Sequence, residues 1–91
     1  MKDEFVLNLN AYMSHHQISK ATLAKRLCEL KGLPYHENFR RNTSRVVRGD
    51  ILAHQRDMRN IALVLALPAG ELAFMDPEEF KAKYCGVNDG S

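Results

Sequence analysis

Ser19-Lys20-Ala21-Thr22-Leu23-Ala24-Lys25-Arg26-Leu27 opens the stretch that decides the fold, and Phe39-Arg40-Arg41-Asn42-Thr43-Ser44-Arg45-Val46-Val47-Arg48-Gly49 closes it. In the first block the Ser19 hydroxyl can accept a hydrogen bond from the backbone N–H of Ala21 or Thr22, which marks a helix N-cap. The predicted helix runs from Lys20 to about Lys31, with Leu23, Ala24, Leu27 and Leu30 inward. Gly32 suits the left-handed residue that closes a helix, and Leu33-Pro34 prevents continuation because proline lacks an N–H. Helical spacing returns near Glu37: Phe39, Thr43, Val46 and Val47 fall at i, i+4, i+7 and i+8, and Gly49 ends the run. That leaves Arg40, Arg41, Asn42, Ser44, Arg45 and Arg48 largely on the other faces.

Outward from this centre the chain keeps the helical period. Phe5, Leu9, Tyr12 and Met13 form one stripe of a helix over Phe5 to His16. Beyond Gly49, Asp50 to Arg56 reads as a loop with room for a short turn at Ile51-Leu52-Ala53. Asp57 is the expected cap of a fourth helix carrying Met58, Ile61, Ala62, Leu65 and Ala66, stopped near Leu67-Pro68. Ala69 to Met75 is expected to form one more turn with Leu72 and Phe74 inward. Asp76-Pro77-Glu78-Glu79 has the order of a helix start, with a cap, a proline in the first turn and acids at the positive end of the dipole. This last helix carries Phe80 and Tyr84, which with Phe74 either cover the core or meet a second subunit. Val87 to Ser91 is expected to fray. No strand-like alternation persists and no repeat is present, so the class is all-α.

The chain has 91 residues, 45% hydrophobic and 26% charged. Those proportions suit one folded core rather than disorder, and leave little room for a cofactor domain. The longest apolar run, Ile61 to Leu67, is far short of the roughly 18 residues of a membrane span. Met1-Lys2-Asp3-Glu4 lacks the basic start of a secretory signal, so the expectation is a cytoplasmic protein without membrane attachment. Cys28 and Cys85 have no metal-ligand spacing and read as reduced thiols.

The formal charge is only +2, but it is unevenly spread. Between Lys20 and Arg59 ten Lys or Arg face four acids, a local +6, while the remainder carries three bases and seven acids, a local −4. A polyanion would therefore meet the middle of the chain.

The order of these blocks resembles the Cro/CI-like helix-turn-helix regulators, the lambda-repressor-like fold of the XRE family. Ser19 to Leu27 is similar to the family's S-Q-x-x-L-A-x-x-L block. Ser44-Arg45-Val46-Val47-Arg48-Gly49 is similar to its recognition segment, and Ile61-Ala62-Leu63-Val64-Leu65-Ala66-Leu67-Pro68 with Leu72 to its third block. The resemblance covers residues 5 to 75. It implies a bundle of four to five helices, with a helix-turn-helix domain over residues 1–75, followed by a C-terminal helix and tail over 76–91. Two departures stand out. Sixteen residues separate Leu27 from Ser44 against about eight in the family, which predicts an extended connector or longer helices. Lys20 replaces a common glutamine, and can reach the same phosphate as a point charge.

What the resemblance implies for function follows from groove geometry, because a helix fits the major groove and side chains on its exposed N-terminal half reach base edges. Arg41, Asn42, Ser44 and Arg45 are the expected base readers, with Arg40 and Arg48 reading bases or clamping the backbone. Lys20, Lys25, Arg56 and Arg59 are expected on phosphates, the first and last aided by helix-end N–H groups. The expectation is a transcriptional regulator of repressor type, bound as a homodimer to a palindromic operator in double-stranded DNA, of the kind phages, prophages and plasmids use. The alternative is a protein-binding adaptor or antitoxin-type module on the same fold, acting through its apolar tail. RNA binding is disfavoured by the lack of aromatic residues interleaved with the basic ones. Neighbouring His15 and His16 point about 100° apart on a helix, and His36, His54, Cys28 and Cys85 show no ligand spacing, so no metal or cofactor is expected. No nucleophile elbow or phosphate-binding glycine loop points to an enzyme.

Overall fold

The structure, a computed structural model, describes residues 3–86; the fraying expected of Val87 to Ser91 lies outside them. Six helices follow one another: α1 (Glu4–His15), α2 (Lys20–Lys31), α3 (Glu37–Arg48), α4 (Gln55–Val64), α5 (Ala69–Phe74) and α6 (Pro77–Tyr84). The fold is an all-helical bundle, and no described residue lies in a strand. α1 packs against α3, α5 and α6, while α2 packs against α3 and α4, and α4 reaches α5.

The core follows the predicted stripes closely. Phe5, Leu9 and Met13 of α1, Leu23 and Leu27 of α2, Val46 and Val47 of α3, Ile61 and Ala62 of α4, Leu72 of α5 and Phe80 of α6 are buried together. α6 is thereby tied to the same core as α1, with Phe80 wholly covered. Cys28 and Cys85 are buried free thiols.

Two asparagines of α1 complete the packing. Buried Asn8 donates from its amide to the carbonyls of Leu72 and Met75, at 3.1 and 2.9 Å, and so ties α1 to the end of α5. Asn10 donates to the Val47 carbonyl in the last turn of α3. Neither belongs to the apolar pattern, and both answer carbonyls that a helix end leaves without an internal partner.

Several expectations need correction. Leu30 is 42% exposed, because the buried arc of α2 is centred between Leu27 and Ala24 and takes in Cys28 instead. α4 starts at Gln55 rather than after Asp57; Asp57 is its third residue and reaches back to accept the His54 N–H at 3.4 Å. Ile51 to Ala53 lie in the loop expected there, which ends at His54 rather than Arg56. Ala66 is exposed and lies beyond α4 with φ 59°, where its N–H bonds Leu63 and the next N–H bonds Ala62. α1 closes in the same way at Gln17, φ 55°, so it ends at His15. Phe74 is 76% exposed. On a helix, residues two apart point about 200° away from each other, so with Leu72 inward Phe74 must face out.

Candidate nucleic-acid interface

α3 is the element whose residues carry the candidate chemistry. The extra residues after Leu27 are absorbed by α2 running to Lys31, a five-residue connector from Gly32 to His36, and a start of α3 at Glu37. Gly32 takes a left-handed conformation, φ 69°, and the N–H groups of Gly32 and Leu33 close α2 on Glu29 and Cys28. At the other end of α2 the Ser19 hydroxyl accepts the Thr22 N–H at 3.0 Å. Gly49, φ 81°, ends α3.

With Thr43, Val46 and Val47 buried, the wheel of α3 sends Arg41, Arg45 and Arg48 to the opposite side. Arg40, Arg41, Ser44, Arg45 and Arg48 line one shallow depression on that face. Asn42 lies beside them, at the edge of a second cleft formed with α2 and α4.

The four arginines are not electrostatically alike. Arg40 Nε lies 3.2 Å from Glu37 Oε2, and the Glu37 carboxyl is held below its usual range first by that hydrogen bond and then by the Arg40 charge. Arg48 Nε lies 3.0 Å from Asp50 Oδ2. Arg41 and Arg45 are exposed and enter no ion pair among the described residues. The two acids in reach therefore pair with the flanking arginines, while among the described residues Arg41 and Arg45 form no ion pair, the Arg41 charge adding only a small lowering of the Glu37 carboxyl.

The other cations fall into separate groups. Lys20 is exposed at the first position of α2. Lys25 sits on the same helix with its ammonium 5.6 Å from the centre of the Tyr35 ring, a contact that holds it beside the entry to α3. Arg56 and Arg59 share a depression with His54, Gln55 and Asp57 at the start of α4. Because α4 begins at Gln55, Arg56 stands in its first turn and Arg59 in its second, so it is Arg56 that lies beside the free N–H groups.

Sequence reasoning missed Tyr35, Glu37, Asp50 and Asn10. Glu37 could have been noticed from its place three residues before Arg40, since such neighbours share a helix face, whereas Asp50 reaches Arg48 past the left-handed turn at Gly49. Asn10 carried no such signal, because its partner is 37 residues away. Among the described residues no three His, Cys, Asp or Glu side chains converge as metal ligands. Comparison with protein families, curated proteins and solved structures finds no match to this chain.

Proposed function

We propose that this chain is a sequence-specific DNA-binding regulator of transcription, of Cro/CI-like helix-turn-helix type, that lays α3 in the major groove. The observation that carries this reading is the exposed face of α3, where, among the described residues, Arg41 and Arg45 enter no ion pair and stand beside Ser44. An arginine fork matches the two acceptors of guanine, and two forks one helical turn apart can address successive base pairs. Arg40 and Arg48, restrained by their acids, suit backbone contact, and Asn42 at the edge of the face suits adenine. Lys20, Lys25, Arg56 and Arg59 are the phosphate contacts. A single unit of this size offers few such contacts, so the reading includes a homodimer on a two-fold operator, acting in the cytoplasm as a repressor.

Selection of sites from random duplexes tests the reading. A palindromic motif with half-sites about one turn apart is the expected result; failure to bind any duplex at low salt would overturn it.

A second reading is favoured by one observation. Phe74 and Leu63 are 76% and 61% exposed, and Phe74 borders a small hollow between α4 and α5 lined by Met58 and Ala73. On this reading the chain is an adaptor that meets another protein through that surface. Phe74→Ala would then abolish partner binding, while leaving any DNA binding intact.

A further inference from the structure

The edge of α3 that bears Asn42 borders a half-open cleft of about 380 Å³. α2 packs against both α3 and α4, and the cleft opens between those two helices. Its floor is apolar, made by Leu27, Phe39, Val46 and Ile61, and its volume lies in the range of small-molecule sites. Two opposite charges also line it, Lys31 from the last turn of α2 and Asp57 from the first turn of α4. They form no ion pair with each other or with any other described residue. The Lys31 ammonium lies 5.3 Å from the centre of the Phe39 ring, which keeps it at the cleft wall. Asp57 gives one oxygen to the His54 N–H, leaving the other uncommitted. The Asn60 amide stands on the same wall as Asp57 and can donate or accept.

We infer that this cleft binds a small zwitterion with an apolar side chain, that is, a free α-amino acid of the aliphatic or aromatic kind. The charges select the class by elimination. A neutral apolar molecule would cover Lys31 and Asp57 without pairing either, at a desolvation cost. An anion would meet Asp57, and a cation Lys31. A zwitterion answers both: its carboxylate takes the Lys31 ammonium, its ammonium takes the Asp57 carboxylate, and its side chain lies on Leu27 and Ile61.

Thermal unfolding of the full chain, with free leucine, isoleucine or phenylalanine each at about 10 mM, reads the binding as a rise in Tm. A rise of several degrees with at least one of them, lost with its N-acetyl amide, is expected. Lys31→Met should retain the Tm of the parent without ligand and lose the rise. Backbone amide shifts on titration should centre on Thr43, Ile51 and Asn60. No rise with any of the three, an equal rise with the blocked derivative, an undiminished rise in Lys31→Met, or shifts centred on α5 and α6 would each overturn the inference.

Discussion

Asn10 of α1 donates its side-chain amide to the carbonyl oxygen of Val47, one residue from the end of α3, at 2.7 Å. The same amide group also reaches the Val6 carbonyl within its own helix, which steadies its rotamer. The pose of the arginine-bearing helix is thus set from behind by a polar contact as well as by Val46 and Val47. Asn10→Ala is expected to cost about 1 kcal/mol of stability by urea unfolding. A change of no more than a few tenths would show that the contact adds nothing beyond water.

Phe80 and Phe74 stand only six residues apart and should behave oppositely. Phe80 is wholly buried against α1, so Phe80→Ala should lose about 3 to 5 kcal/mol. Phe74→Ala should change stability by less than about 0.5 kcal/mol. Parallel denaturant titrations would decide this, and comparable losses would contradict the outward placement of Phe74.

The left-handed residues Gln17 and Ala66 hold a conformation that glycine adopts without steric penalty. Ala66→Gly and Gln17→Gly should therefore each stabilise the fold by about 0.5 to 1 kcal/mol, the relieved strain exceeding the added freedom of the unfolded chain. A calorimetric decrease in Tm for both would refute the assignment.

Glu71 joins α5 to α6 through hydrogen bonds from the Tyr84 hydroxyl and from Lys83, the latter at 3.0 Å. The Tyr84 hydrogen bond, followed by that of Lys83, lowers the Glu71 pKa from its ordinary value. A carboxyl with a depressed folded pKa adds stability above its unfolded pKa, and that stability fades as pH falls through the folded one. Tyr84 has its pKa raised, chiefly by the hydrogen bond to Glu71, so its contribution is present below its unfolded pKa and fades as pH rises through the folded value. The Tm advantage of the parent over Glu71→Gln should shrink below about pH 4.5. A pH-independent difference would mean that the pair is solvated and inert.

On the DNA reading, Arg41→Ala and Arg45→Ala should each lose about 1 to 3 kcal/mol at the selected site and relax the preference at one base pair. Asp50→Asn should do the reverse of a lost contact. By releasing Arg48 it should strengthen binding to any duplex and steepen the salt slope by about one. Fluorescence anisotropy across a salt series reads both effects, and an Asp50→Asn slope identical to the parent would leave Arg48 off the backbone.

Local chemistry written into the chain was sufficient for α2 and α3. A serine cap, two closing glycines and a proline bound them at Lys20–Lys31 and Glu37–Arg48, where the spacing of apolar residues also picks out the buried face. The α6 start was equally legible, since Asp76 and Pro77 act within a single turn, and the Asp76 carboxylate accepts the N–H groups of Glu78 and Glu79. Tertiary packing alone decided the rest. α1 and α4 stop two residues before Gln17 and Ala66, whose side chains give no warning of a left-handed backbone. Asn8 and Asn10 find their carbonyls on helices far along the chain. The arginine face was readable because helical period is a property of neighbours in sequence. Which arginines are paired depended on acids no more than three residues away, Glu37 for Arg40 and Asp50 for Arg48. Which opposite charges line one cleft depended instead on how α2 and α4 came to rest beside α3.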